Sequence, residues 1–297
     1  MGLANNSIGP AADLQQANSQ RMNHSRDFVF TERDFRFIQR LIGESTGIVL
    51  SEAKRDMVYG RLSRRLRQLN LSSFADYCRL LEEGDEAELV QFVNAITTNL
   101  TSFFRENHHF DYLGGTVLPK LFSEKRDRRI RIWSAGCSTG EEPYSLAMVV
   151  KESMPARGEW DIKILATDLD SEVLQRARCG EYGIERVESI PKPRLRRWFR
   201  RGRGVNEGIV KVSPELQQLI SFKQLNLMSA WPMKGKFDII FCRNVVIYFD
   251  KPTQRVLFDR YADLIQDRGH LFVGHSESLH SVTDRFELIG KTVYRKL

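Results

Sequence analysis

The sequence predicts an α/β protein in which a small helical domain precedes a doubly wound, mostly parallel β-sheet. Residues 28–98 repeat apolar side chains at helical spacing. From about residue 130, apolar segments of strand length alternate with helical segments, which is typical of parallel strands joined by helices on both faces of the sheet. We therefore expect a helical domain at residues 28–98 and a sheet domain at residues 99–297.

Residues 1–27 belong to neither domain. They are rich in Asn, Gln, Ser and Ala and lack the basic start and apolar core of a signal peptide, which predicts a disordered leader. The apolar segments of the chain stay below the roughly 20 residues that cross a bilayer, so we expect a cytoplasmic protein without membrane insertion. The four cysteines form no C-x-x-C pair, which favours reduced thiols and predicts no metal site.

The helical domain opens with a capping box, because Thr31 and Asp34 are spaced to cap a helix reciprocally. Further helices are predicted within residues 51–70, 73–81 and 86–96. The second helix has six basic residues against two acidic ones and carries a stripe of arginines: Arg61, Arg64 and Arg67. In a chain of net charge +7, this helix favours an acidic partner, either a protein or a nucleic acid. A solvated helix face is the simpler interpretation.

The strands of the sheet domain are predicted at "IRIWSA", "IKILATD", "FKQLNL", "FDIIFCRN" and "GHLFVGH". Helices lie between them, around Pro143–Met154, Ser171–Cys179 and Thr253–Leu264. The final segment, "FELIGKTVYRKL", predicts a C-terminal antiparallel hairpin that closes the sheet. The alternation breaks at about residues 180–215, where a basic, glycine-punctuated segment predicts an inserted small β-subdomain with the character of a hairpin.

In a doubly wound sheet, ligands bind at the carboxyl ends of the strands. The first predicted strand is followed by the glycine turn "GCSTG" and then by Glu141 and Glu142, which would repel a pyrophosphate but attract an ammonium group. Asp168 ends the second strand about 28 residues beyond the turn, a spacing typical of a carboxylate that binds ribose hydroxyls. Alternatively, it only caps the next helix. The predicted ligand is a nucleoside with cationic groups, such as S-adenosylmethionine.

The same turn also fits the G-x-S-x-G pattern of serine hydrolases, with Ser138 as the nucleophile. The residues in the required chain order are Asp238 or Asp250, followed by His270 or His275. However, the turn follows the first strand of its domain, whereas a hydrolase has several strands before its nucleophile. We therefore expect Ser138 to shape the turn.

Six segments, in this order, resemble the CheR family of chemotaxis receptor methyltransferases: "NAITTNLTSFFRENHHF", "WSAGCSTGEEPYSLAM", "ATDLDSEVLQRAR", "FKQLNL", "FDIIFCRNVVIYFD" and "GHSES". The resemblance extends from about Phe28 to the C-terminus. It implies a Rossmann-like methyltransferase fold and a monomeric enzyme that transfers methyl groups from S-adenosylmethionine to glutamates on chemoreceptor signalling helices, releasing S-adenosylhomocysteine. One departure is Ser138, which replaces the central glycine of the general GxGxG methyltransferase turn.

The resemblance also implies roles for individual residues. The cofactor would be bound by Asn99, Thr101, Arg105, Glu142, Asp168, Asn226, Leu227, Arg243 and Asn244. Arg105 would also lie near the reacting centre and Tyr248 at the mouth of the site, which makes these two the catalytic candidates. Glu141, by contrast, is expected to be a solvated residue in the first turn of its helix.

Two partner contacts follow from the same resemblance, which favours a protein over a nucleic acid. The arginine stripe on the second helix would bind acidic receptor helices. The inserted β-subdomain resembles the module that tethers a receptor's C-terminal peptide by strand addition, and its contacts would be Arg201, Gly202 and Lys211.

Overall fold

A computed structural model describes residues 27–297 of the chain. The predicted leader therefore lies, except for Asp27, outside the described residues. The described chain forms two compact units. One comprises the residues up to Arg40 together with Ser51–Ala95, and the other comprises Leu41–Leu50 and Ile96–Leu297.

The first unit is helical. Its elements are α1 (Glu32–Thr46), a 3₁₀ turn (Glu52–Lys54), α2 (Arg55–Gln68), α3 (Phe74–Glu82) and α4 (Glu86–Ile96). The predicted capping box is present, because the Thr31 amide donates to Asp34 Oδ2 at 2.8 Å and the Asp34 amide donates to Thr31 Oγ1 at 3.2 Å. The apolar faces of the helices supply fully buried side chains that include Phe35, Ile38, Val58, Leu62, Phe74 and Tyr77.

The second unit contains a sheet of seven strands, and ten strands are numbered along the described chain. They are β1 (Arg129–Ala135), β2 (Asp161–Asp168), β3 (Glu181–Gly183), β4 (Phe199–Arg201), β5 (Ile209–Val212), β6 (Ile220–Gln224), β7 (Phe237–Cys242), β8 (Ile265–Val273), β9 (Phe286–Gly290) and β10 (Val293–Lys296). The large sheet has the order β6-β2-β1-β7-β8-β10-β9. Its first five strands are parallel, and β10 and β9 are antiparallel, so the predicted closing hairpin is confirmed.

Helices cover both faces of this sheet. They are α5 (His108–Tyr112), which continues through a π turn (Leu113–Val117) into α6 (Leu118–Glu124), then α7 (Glu141–Ser153), α8 (Ser171–Cys179), α9 (Lys192–Trp198), α10 (Pro214–Gln217) and α11 (Lys251–Leu264). Neighbouring residues of β1 enter different cores, Ile132 with Leu146 of α7 and Trp133 with Tyr261 of α11. The strand order reverses between β1 and β7, and the ends of these two strands form the switch point at which such sheets bind ligands.

The inserted β-subdomain is larger than the predicted hairpin. It is a three-stranded antiparallel sheet with β5 in the centre and β3 and β4 at the edges. The prediction missed β3 because a strand of three residues has too little alternation to be recognised. Among residues 27–297, none of the helices combines the length and the apolar character that crossing a bilayer requires.

Candidate active site

The glycine turn after β1 lies at the switch point and packs closely against its neighbours. Gly136 and Gly140 have φ angles of 90° and 98°, a region that favours glycine. A Cβ atom at Gly140 would lie 2.8 Å from Tyr182 Oη and 2.9 Å from Ala177 Cβ, so this position also requires glycine for space. The Gly136 and Cys137 amides both donate to the Thr167 carbonyl, at 2.8 and 2.9 Å, which ties the turn to the end of β2.

Ser138 is part of this backbone arrangement. Its Oγ donates to the Asn99 carbonyl at 2.9 Å, and its amide donates to Asp168 Oδ2 at 2.7 Å. The two aspartates that a hydrolase triad would use have other hydrogen-bond partners. Asp238 binds Lys125, and Asp250 caps α11. Within the described part of the chain, Ser138 therefore has no hydrogen bond to a histidine or to either of these acids. The arrangement does not assemble a serine nucleophile.

Asp168 lies beside the turn, and another residue caps the following helix. Asp170 accepts the Glu172 and Val173 amides at the start of α8, whereas Asp168 accepts the amides of Ser138 and Asp170. Burial, assisted by the charge of Asp170, raises the pKa of Asp168 to about 6, although three backbone hydrogen bonds, from Asp170, Ser138 and Leu169, oppose the shift. A carboxylate has about four acceptor positions, so Asp168 keeps capacity for a hydroxyl of a ligand.

The segment before α5 brings three predicted site residues to the same place. Asn99 Nδ2 donates to Asp170 Oδ2 at 2.7 Å, and the Thr101 carbonyl accepts Arg186 Nη2 at 3.1 Å. Arg105 is half-buried, and its Nη1 donates to the Leu100 carbonyl at 2.9 Å. The Arg105 carbonyl accepts Arg243 Nη2 at 2.5 Å, which joins this segment to the end of β7.

Arg243 is the centre of a buried ionic network. Its side chain is 2% exposed and lies between two carboxylates, with Nη1 3.1 Å from Glu142 Oε2 and Nη2 3.3 Å from Glu106 Oε2. Glu142 also accepts Ser134 Oγ at 2.7 Å. Burial raises the pKa of Glu142 and the charge of Arg243 opposes the rise. Burial alone would also raise the pKa of Glu106, but hydrogen bonds from His275 and the charge of Arg243 lower it to about 2.

The loop after β6 is fixed by its own hydrogen bonds. Asn226 Nδ2 donates to the Ser45 carbonyl at 2.7 Å, and its Oδ1 accepts the Met228 amide at 2.9 Å. Leu227 is 9% exposed, and its carbonyl accepts Trp231 Nε1 at 3.1 Å and Arg260 Nη1 at 2.6 Å. The side chain of Asn226 thus holds the loop, and its contact with the cofactor stays a prediction.

The segment after β7 carries the last two predicted site residues. Asn244 has a φ of 58°, and its Nδ2 donates to Glu106 Oε1 at 3.4 Å. Tyr248 is half-buried at the end of a 3₁₀ turn (Val246–Tyr248), and its carbonyl accepts the Val49 amide at 2.9 Å. The site at the switch point thus includes Glu106, which the prediction missed although it directly follows Arg105 in the "NLTSFFRE" segment.

The prediction of a solvated Glu141 is wrong. Its side chain is fully buried, accepts Thr139 Oγ1 at 2.7 Å and forms an ion pair with Arg186. Arg186 belongs to the inserted β-subdomain, which covers the first turn of α7. A helix-dipole argument considers only the helix itself, so it could not anticipate this cover.

The predicted partner-binding residues belong to α2 and to the inserted sheet. On α2, Arg64 is exposed, Arg61 Nη1 donates to the Ala95 carbonyl at 3.3 Å, and Arg67 pairs with Asp27. In the inserted sheet, Arg201 ends β4 and Lys211 Nζ lies 2.9 Å from Glu181 Oε1.

Comparison with known proteins identifies the family. Residues 33–97 match the family model for the CheR methyltransferase all-alpha domain, and residues 99–295 match that for the CheR methyltransferase SAM binding domain. Chemotaxis protein methyltransferase 2 of Pseudomonas aeruginosa is 47% identical, over 91% of this chain and 95% of that protein. The chemotaxis protein methyltransferase of Escherichia coli is 45% identical, over 89% and 91%. That of Borreliella burgdorferi is 35% identical, over 94% and 99%. With a glycine turn, a strand-end aspartate and a buried arginine at the switch point, and with both family models matched, the chain belongs to the CheR methyltransferase family.

Proposed function

We propose that this enzyme methylates glutamate side chains on the cytoplasmic signalling helices of chemoreceptors, with S-adenosylmethionine as donor and S-adenosylhomocysteine as product. The observation that carries the proposal is the match of residues 99–295 to the SAM-binding domain of the CheR family. That range includes all of the proposed cofactor-binding residues, from Asn99 to Asn244. We further propose that the enzyme works in the cytoplasm as a monomer.

The residues at the switch point fit this cofactor. Asp168 has acceptor capacity for a ribose hydroxyl, and the glycine turn places the Ser138 amide beside this carboxylate. Arg243 Nε is buried and has no hydrogen-bond partner within residues 27–297, which leaves a donor for a ligand oxygen. The other proposed cofactor contacts are Asn99, Thr101, Arg105, Glu142, Asn226, Leu227 and Asn244.

S-Adenosylmethionine, when bound, supplies a methyl group activated by its positively charged sulfur. A glutamate side chain in water has a pKa of about 4.3, so the acceptor is already ionised at neutral pH and needs no general base. The protein must therefore align the carboxylate and remove its water. We assign the alignment to Arg105, which orients the carboxylate of the acceptor or of the cofactor, and to Tyr248, which positions the acceptor.

The direct test combines cofactor labelled in its methyl group with a purified receptor cytoplasmic fragment. We expect label in the fragment that alkali releases as methanol, because a glutamyl methyl ester is base-labile. A fragment whose methylatable glutamates are replaced by alanine is the control. Label that resists alkali, or no label together with salt-sensitive binding of nucleic acid, would contradict the proposal.

A second arm of this assay tests the tether. The edge strands β3 and β4 can accept an added strand, and Arg201 beside Gly202 is placed to bind a terminal carboxylate. Lys211 is paired with Glu181 and contributes less. If the β-subdomain binds the receptor tail, a fragment that lacks its C-terminal tail is methylated more slowly at low concentration than the complete fragment. Equal rates for the two fragments would leave the insertion a purely structural element.

Cofactor binding should weaken at acidic pH. Because the pKa of Asp168 is raised to about 6, the carboxylate gains a proton as the pH falls through that value and then becomes a weaker acceptor for a ribose hydroxyl. We expect the Kd of S-adenosylhomocysteine to be about tenfold higher at about pH 5 than at about pH 8. Calorimetric titration measures this. Asp168→Asn should bind weakly at both pH values, and a wild-type Kd that is independent of pH would contradict the role of Asp168.

Receptor binding by α2 should depend on Arg64, which is exposed, as is Arg67, but unlike Arg67 forms no ion pair with Asp27. Arg64→Glu replaces an attraction by a repulsion, and an exposed ion pair is worth up to about 1 kcal/mol. We expect the KM for receptor to rise roughly threefold to tenfold, with less effect at high salt and no change in cofactor affinity. Arg33→Glu, at an exposed position on α1, makes the same charge change and serves as the control. Equal KM values for the two variants would disprove docking by the stripe.

A further inference from the structure

The "GHSES" motif at residues 274–278 has no role in the mechanism described above. Its glutamate nevertheless accepts more hydrogen bonds than a surface glutamate would. Glu277 is 4% exposed and accepts five backbone amides. Oε1 accepts those of Val245, Val246 and Ile247 at 2.8, 2.9 and 3.3 Å, and Oε2 accepts those of Asn244 and Gly274 at 2.8 and 2.5 Å.

These amides belong to the segment that carries two proposed site residues. Residues 244–247 connect β7 to Tyr248 and lie outside the β-ladder, so their backbone donors need another acceptor. A carboxylate forms stronger hydrogen bonds to such donors than a neutral oxygen does. Glu277 therefore fixes the path of four consecutive residues, including Asn244 in its left-handed conformation, immediately before Tyr248.

The same motif holds the side chains of this segment indirectly. The His275 amide donates to Glu106 Oε2 at 3.1 Å, and His275 Nδ1 lies 2.9 Å from Glu106 Oε1. Glu106 in turn contacts Arg243 and Asn244. A Cβ atom on Gly274 would lie 2.6 Å from Asn244 Nδ2 and 2.9 Å from Asn244 N, so the motif approaches as closely as only glycine permits.

We propose that Glu277 is a positioning residue for methyl transfer, whose carboxylate holds residues 244–248 in the conformation that presents Asn244 and Tyr248 to the site. The proposal rests on the proposed function, because Tyr248 matters only if the acceptor binds beside it. Glu277 itself touches neither substrate nor cofactor and acts through the backbone of this segment.

Glu277→Gln tests the proposal with little change of shape. The amide keeps one acceptor oxygen and turns an NH₂ group toward backbone donors, so two or three of the five backbone hydrogen bonds are lost, at least one of them from residues 244–247. We expect S-adenosylhomocysteine still to bind one to one, and kcat per binding site to fall on the order of 30-fold, since small misplacements at a reacting centre cost up to about 100-fold. The KM for receptor should stay within about twofold, because the proposed docking residues lie elsewhere.

The readouts separate positioning from a role in folding alone. A purely structural glutamate would lower the Tm and the number of binding sites but leave kcat per site unchanged, and a value within about threefold of wild type overturns the proposal. Glu287→Gln on β9 makes the same chemical change in a partly exposed ion pair with Arg295 of β10 and should alter nothing. If the wild-type enzyme itself does not methylate receptor, this result contradicts the proposed function. It does not contradict the role of Glu277 in holding residues 244–248.

A measurement on the wild-type protein covers the case in which Glu277→Gln does not fold. Hydrogen exchange at the amides of residues 245–247 should be slowed roughly 100-fold relative to an unprotected loop, although these residues lie in no long helix or strand. Exchange at the rate of an open loop would show that Glu277 does not hold the segment, and would overturn the proposal.

Discussion

Arg243→Leu should lower the free energy of unfolding by about 3 to 5 kcal/mol, because it leaves two buried carboxylates without their cation. In the wild type, Arg243 lies 3.1 Å from Glu142 and 3.3 Å from Glu106. Burial disfavours both charges, and leucine offers neither carboxylate a hydrogen-bond donor in place of the guanidinium. The decrease in the free energy of unfolding should therefore exceed the decrease caused by removing a surface ion pair.

The loss should also depend on pH. The pKa of Glu106 is lowered to about 2, so its ionised form stabilises the wild type above the unfolded value of about 4.5, and this contribution disappears as the pH falls through about 2. In Arg243→Leu the carboxylates take up protons more readily. The difference between wild type and variant should thus be largest near neutral pH and shrink below about pH 4.

Urea denaturation followed by tryptophan fluorescence measures this loss of stability. The fluorescence reports on the second compact unit, which contains Arg243, because all four tryptophans lie within residues 96–297. Arg295→Leu is the matched control, since it removes a partly exposed ion pair with Glu287 and should cost at most about 1 kcal/mol. A loss for Arg243→Leu as small as that of the control would contradict the buried network. Adding Glu142→Gln should recover part of the stability, because it removes one of the stranded charges.

The strand ends of the site could be predicted because parallel strands place their carboxyl ends at one edge of a sheet. The strand patterns locate Asp168, Arg243 and Asn244, and the sheet order then brings them together. The contacts among these side chains could not be predicted. Arg243 meets Glu142 across 101 residues and Asn244 meets Glu106 across 138 residues, and no local pattern encodes such distant pairs.

The error at Glu141 has the same physical origin. Glu141 satisfies a helix-dipole rule that applies to exposed helix ends, but Arg186, 45 residues later, covers it. The arginine stripe on α2, which follows from spacing, stays a prediction for receptor docking, but its Arg61 also donates to the Ala95 carbonyl of the neighbouring helix α4. In each case a tertiary contact decides the environment of a side chain whose local sequence suggests a different one.

Arg105→Ala should lower kcat on the order of 100-fold at saturating cofactor and receptor, the largest effect on catalysis that we expect. The Arg105 guanidinium uses Nη1 for the Leu100 carbonyl, and its remaining donors suit the two oxygens of a carboxylate. The contact between Arg243 and residue 105 involves the backbone carbonyl, so alanine retains it and the ionic network stays intact. Initial rates of methyl ester formation measure kcat, and the Tm should stay within a few degrees of wild type.

The affinity for S-adenosylhomocysteine then decides which carboxylate Arg105 orients. If it orients the acceptor glutamate, kcat falls while the Kd of the product is unchanged; if it orients the carboxylate of the cofactor, the Kd rises as well. Arg105→Lys should recover only part of the rate, because an ammonium keeps the charge but loses the planar pair of donors that fits a carboxylate. Wild-type turnover by Arg105→Ala at saturating cofactor would exclude both roles and leave alignment of the acceptor to Tyr248 and the segment that Glu277 holds.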